Sequence, residues 1–301
     1  MAGPASTFVI SITPFTAGGE LDEGGLRGHL RKLAASGVGV YLGGSGSGEG
    51  YTLTPDEVRR VLEIGAEELA GRVPVRAMGV EPRTAGEMHA LGRLVAETGV
   101  EAMQIYSLDQ GHGNRPGRAE MDRYYDDVLG GVEVPVVLST HMSVGYLLPV
   151  DLVDVLLDRH PSIIGVNCST NDVAYLVELL RTVDGRVDVH VGGPLHALTC
   201  LGLGGQGFLS SDGNLVPNLC QEVIRTWTAG DLAGVERSFT RLMRVYARTR
   251  RLGGIVGTKA ALQLLGLPGG FPRPPRLPLA ESRLGEVREL IGEMGHLDQK
   301  P

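Results

Sequence analysis

Between residues 7 and 210 the sequence alternates short apolar runs with longer amphipathic ones, and the alternation repeats eight times. The runs 7–13, 38–42, 73–78, 102–106, 134–139, 163–167, 187–191 and 207–210 read as strands. Most are continuously apolar, the pattern of strands covered on both faces. Between them lie segments of the length that a right-handed crossover needs. Thr54-Pro55-Asp56-Glu57 shows how such a segment starts: a hydroxyl cap, proline at the first helical position and acids in the first turn. Further helices are expected at 26–35, 84–98, 118–129, 149–159 and 173–183, with a short one from Pro194. The same units could build an open doubly wound sheet, but eight of them favour closure. The expected fold is therefore α/β, a (β/α)8 barrel.

After Asp212 the pattern is helical, with expected helices at 231–251, 257–265 and 279–294 and a proline-rich stretch, 268–278, before the last. This divides the chain into a barrel core, 1–212, and a segment, 213–301, holding the final barrel helix and three carboxyl-terminal helices. With 301 residues and 42% apolar content the chain can bury a core of that size. A net charge of −7, spread without long runs of one sign, argues against a nucleic-acid partner. No apolar run reaches membrane-spanning length and the amino terminus lacks a signal-peptide pattern, so a cytoplasmic protein without a membrane partner is expected. Cys168, Cys200 and Cys220 are scattered and lack metal-knuckle spacing, which fits a reducing compartment. Lysine occurs only at Lys32, Lys259 and Lys300.

The most informative stretch is Ile163 to Asp172, IIGVNCSTND. Its apolar residues predict a buried strand ending at Asn167, and its Ser/Thr/Asn/Asp cluster predicts a cap for the helix beginning near Val173. In a parallel barrel the end of a strand faces the carboxyl-terminal mouth, where such barrels hold their sites. The stretch resembles the sixth strand of the dihydrodipicolinate synthase and N-acetylneuraminate lyase family, which runs G-(I/V)-K-(D/E)-(S/A)-(S/T)-G-(D/N). Ser11-Ile12-Thr13-Pro14-Phe15, Gly46-Ser47-Gly48-Glu49-Gly50, the run from Leu203 to Phe208 with Asn214 and Pro217, and Lys259-Ala260-Ala261-Leu262 resemble further motifs of that family in the same order. The resemblance covers about residues 6 to 295. It implies the barrel, a lyase or synthase acting on a small 2-oxo acid, and a homo-oligomer, dimer or tetramer.

The residues expected to do chemistry depart from the family's pattern. Its Schiff-base lysine falls on Asn167, and its proton-relaying tyrosine falls where Ser139-Thr140-His141-Met142 stands. An asparagine amide is not nucleophilic and cannot form an imine. Lys32 and Lys259 are both expected away from the mouth. Asn167 could instead stabilise an oxo or enolate oxygen by hydrogen bonding, or simply fill space. His141, in the rim loop, could move a proton, or cap a turn. Ser139 could relay that proton, or fill the barrel. By the resemblance Ser47, flanked by Gly46 and Gly48, binds a carboxylate, which also suits a glycine-rich loop before a helix; a plain connector is the alternative. Glu49 is expected to order that loop. Asp109, in an enlarged fourth loop with His112, could contact substrate. With His141 and His190 these two could form an oxygen and nitrogen ligand set, as in metal-assisted lyases. No cofactor is expected. A non-catalytic descendant that binds a ligand or another subunit remains a further reading.

Overall fold

The computed structural model of the chain describes residues 2–294, so Lys300 lies outside the described residues. Eight strands close a barrel in chain order: β1 (Ser6–Ile10), β2 (Gly39–Leu42), β3 (Val75–Ala77), β4 (Ala102–Ile105), β5 (Val136–His141), β6 (Ile163–Ser169), β7 (Asp188–Gly192) and β8 (Gly207–Ser210). The helices that alternate with them are α1 (Glu23–Ala35), α2 (Pro55–Leu69), α3 (Ala85–Thr98), α4 (Arg118–Gly131), α5 (Val150–Arg159), α6 (Val173–Val183), α7 (Ala197–Gly202) and α8 (Pro217–Thr228). Helices α9 (Leu232–Arg251), α10 (Ile255–Leu264) and α11 (Leu284–Met294) follow. This is the (β/α)8 barrel with carboxyl-terminal helices that the alternation predicts. Among the described residues no helix is long and apolar enough to cross a membrane.

Local chemistry sets the helix starts. At α2 the Thr54 hydroxyl accepts the Glu57 N–H, while the Glu57 carboxylate accepts the Thr54 N–H, a reciprocal capping box. At α6 the Asp172 carboxylate accepts the N–H groups of Ala174 and Tyr175. Helix α11 begins at Leu284, five residues later than the sequence suggests, because Glu281–Arg283 forms a separate 3-10 turn.

By contact density the chain divides into two compact units. One is Arg76–Phe208 with the amino terminus through Ala5; the other is Ser6–Val75 with the chain from Leu209 onward. In the first, β5 and β6 pair without break from Val137↔Gly165 to His141↔Ser169. This corrects two expected boundaries. Strand β6 runs past Asn167 to Ser169, and β5 runs through Ser139 to His141, so His141 is part of the strand and not of the rim loop. Apolar residues stop earlier than backbone pairing does, and it is the pairing that ends a strand. In the second unit β1 ends at Ile10, three residues early, because the Ile12 N–H turns to the side-chain oxygen of Asn214.

Candidate active site

In the first unit, side chains alternate across the strands, so Ser139 and His141 share one face of β5, and Gly165, Asn167 and Ser169 share one face of β6. The opposite face carries Val136 and Leu138 on β5, with Val166 and Cys168 on β6, all buried. In register, Asn167 stands between Ser139 on β5 and His190 on β7. Asn167 is 3% exposed and donates an amide N–H to Gln104 Oε1 on β4 at 2.6 Å. Strands β4 and β6 are separated by β5, so their side chains meet only on the concave inner side of the barrel. Asn167 and Gln104 are therefore an interior amide pair. Ser107 donates its hydroxyl to the Ser139 carbonyl at 3.1 Å, fixing the strand end just above that pair. Burial, with Arg76 adding to it, pulls the His190 imidazole down to about 3, so it is neutral at pH 7.

His141 is 6% exposed, and its ring lies edge-on to Tyr106, the centroids 5.3 Å apart and the planes at 86°. The Ser143 backbone N–H donates to Nδ1 at 3.3 Å. A backbone N–H only donates, so Nδ1 must carry the lone pair and Nε2 the proton. Nε2 is buried and has no hydrogen-bond partner. The nearest carboxylate oxygen, Glu81 Oε1, is 3.8 Å away, too far for a hydrogen bond. Burial lowers the His141 pKa, and the Glu81 charge opposes the shift. The imidazole is thus a neutral donor aimed from β5 towards a carboxylate of the loop after β3.

The second unit contains the glycine-rich loop after β2. Ser47 is buried and shares a hydrogen bond with the Ser211 hydroxyl. A Cβ added at Gly48 would stand 2.9 Å from the Gly44 carbonyl oxygen, and one at Gly50 would stand 2.1 Å from that of Gly43. The backbone folds tightly on itself there, so the loop is a shaped turn, whereas a Cβ at Gly46 would meet open space. Glu49 adopts a left-handed backbone conformation and its side chain is fully buried. One carboxylate oxygen pairs with the Lys259 ammonium, and the other accepts the Arg273 N–H at 3.2 Å. Lys259 also donates to the carbonyls of Thr13 and Phe271 at 2.8 and 2.9 Å. The Phe15 ring is 4.8 Å from the Lys259 ammonium and 4.4 Å from the Arg273 guanidinium carbon. The lysine of α10 therefore reaches the loop after β2 as the buried counter-ion of Glu49.

Asp109 accepts the Gly111 N–H at 2.8 Å within its own loop and lies 3.5 Å from Arg83 of the loop after β3, so its carboxylate ties the two loops together. Among the described residues no three His, Cys, Asp or Glu side chains are gathered as a metal site, so Asp109, His112, His141 and His190 are not brought together. Four participants went unrecognised in the sequence: Gln104, Glu81, Tyr106 and Ser143. Gln104 is a lone polar residue in an apolar strand and could have been singled out. Ser143 is local, since His141 caps the turn Met142–Val144, the alternative its position in the chain allowed. Glu81 and Tyr106 carry no local signal, since only folding brings them to His141.

Fold and strand-end chemistry place the chain among (β/α)8 barrels that carry a carboxyl-terminal helical segment. The pattern of the dihydrodipicolinate synthetase family matches residues 4–294, and the chain belongs to that family. The 4-hydroxy-tetrahydrodipicolinate synthase of Acidiphilium cryptum is 28% identical over 300 residues, which is 97% of this chain and 98% of the relative. The crystal structure of YagE, a prophage protein of the dihydrodipicolinic acid synthase family from Escherichia coli K12 in complex with pyruvate, superposes with a TM-score of 0.87. The two are 27% identical, covering 97% of this chain and 98% of YagE. N-acetylneuraminate lyase from Mycoplasma synoviae shares the fold at a TM-score of 0.85 and 20% identity, over 96% of this chain and 97% of the lyase.

Proposed function

We propose that the protein is a lyase-type enzyme that acts on a small 2-oxo acid or related carboxylate without forming an imine. The observation that carries this reading is the interior amide pair: β6 presents Asn167, held by Gln104, at the buried level where the family resemblance expects an amine. An amide N–H lends hydrogen-bond donation to an oxygen that gains negative charge, so an enolate is stabilised electrostatically and no covalent bond forms. His141, neutral and protonated on Nε2, supplies a second donor on the same unit. Ser139 lines the strand end beside Asn167. For Ser47, Gly46 and Gly48 the carboxylate-binding role rests on the resemblance alone. Asp109 orders its loop and remains at most an outer contact with substrate.

Enolate formation is readable without knowing the natural substrate. Incubated with pyruvate in deuterium oxide, the wild type is expected to exchange the methyl protons. Sodium borohydride added to the mixture should leave the protein's intact mass unchanged. Asn167→Ala should slow exchange by roughly a hundredfold while circular dichroism stays native. A borohydride-trapped adduct, or exchange at the wild-type rate in Asn167→Ala, would sink the reading.

A further inference from the structure

The unpartnered Nε2–H of His141 has a use that the reading above leaves open. It is a buried donor whose tautomer is fixed by Ser143, and it lies 3.8 Å from an acceptor, Glu81 Oε1. A single oxygen at hydrogen-bond distance from both, about 2.8 Å, fits that separation. Such an oxygen must accept from one side and donate to the other. A hydroxyl does both, whereas a ketone or carboxylate oxygen only accepts. We infer that His141 and Glu81 together bind a hydroxyl group of the substrate and that Glu81 takes its proton.

The proposal rests on the lyase reading and adds a base to it, one that His141 cannot be while its Nδ1 lone pair is engaged by Ser143. In the cleavage direction the hydroxyl O–H bond breaks and the proton moves to the Glu81 carboxylate. The oxygen's electron pair becomes the second bond of an aldehyde or ketone. The carbon–carbon bond between the carbinol carbon and the carbon next to the oxo group breaks, and its electron pair forms the enolate. Proton return from Glu81 to the enolate carbon completes the balance, and no other reactant is consumed. Tyr106, edge-on to the imidazole, holds the ring plane so that Nε2 keeps its aim.

The test is calorimetric titration with two probes that differ by one hydroxyl, 4-hydroxy-2-oxopentanoate and 2-oxopentanoate. Wild type is expected to bind the hydroxy compound tighter by about tenfold or more, and His141→Phe, which retains the ring, to erase the preference. Glu81→Gln still offers an acceptor, so it should keep the preference and lose release of pyruvate and acetaldehyde by roughly a hundredfold or more. Equal binding of both probes by the wild type would overturn the pair while leaving pyruvate exchange, and with it the lyase reading, untouched. Binding of neither probe would likewise overturn the pair, while pyruvate exchange alone decides the lyase reading. Wild-type cleavage rates in Glu81→Gln would show that the base lies elsewhere.

Discussion

Two buried polar clusters in this protein have opposite characters. Around Glu49 a buried ion pair is fully satisfied: Lys259 and the Arg273 backbone occupy both carboxylate oxygens, Thr13 and Phe271 take the remaining lysine hydrogens, and Phe15 packs on the cations of Lys259 and Arg273. Around Asn167 the amides and imidazoles are neutral, and one donor, His141 Nε2, has no hydrogen-bond partner, the Glu81 carboxylate standing 3.8 Å away. Burying ions demands complete compensation, because each lost partner leaves a charge in a poor solvent. A neutral donor without a partner costs much less, and it is the kind of small deficit that a ligand makes good. The first cluster braces a loop, and the second is where we propose that substrate binds.

The largest effect expected from this contrast is on stability. Lys259→Met leaves the Glu49 carboxylate buried without its counter-ion, which should cost about 3–5 kcal/mol in denaturant unfolding. Adding Glu49→Gln should return much of that loss. If Lys259→Met unfolded at the wild-type midpoint, the cluster would have to be reassigned from bracing to function. By the same contrast His141→Phe should cost only about 1 kcal/mol, since Nε2 has nothing to bond and the one bond lost is that from the Ser143 N–H to Nδ1.

An intermediate effect concerns acid. His190 has its pKa lowered from 6.5 to about 3 by burial, and so does His29 in the other unit. Between those values the unfolded chain binds protons that the folded chain does not. Stability is therefore complete above about pH 6.5 and declines as the pH falls towards 3. His190→Gln should flatten that decline in melting temperature without removing it, because His29 still contributes. An unaltered pH profile in His190→Gln would show that the imidazole takes up its proton without penalty.

The smallest expected change is at Ser47. Its hydroxyl bonds to Ser211, and Ser47→Ala should cost about 1 kcal/mol of stability. Its value lies in ligand response. If the loop binds a carboxylate, pyruvate should raise the melting temperature of the wild type and fail to raise that of Ser47→Ala. Equal shifts in both would restrict the β2 loop to a structural role and sharpen the division between the two clusters.

The barrel itself was legible from residue order. Continuous apolar runs and helix-start signals such as Thr54-Pro55-Asp56-Glu57 are local, and eight crossover units leave few ways to bury them. The candidate site was legible in part: a polar residue inside an apolar strand, as at Asn167, announces itself in any order of reading. The strand ends were misjudged because Ser139 to His141 and Asn167 to Ser169 are polar, and only their neighbours' backbones show that pairing continues.

The sequence alone determined the alternation, the helix caps, the scarcity of lysine and the presence of an amide on the sixth strand. Tertiary structure alone decided the partners. Gln104 meets Asn167 across an intervening strand, Lys259 returns over 210 residues to Glu49, and Glu81 comes to face His141. Periodicity is a property of neighbours in the chain, whereas the pKa of a buried group and the tautomer of a histidine are set by atoms that the chain brings together only when folded.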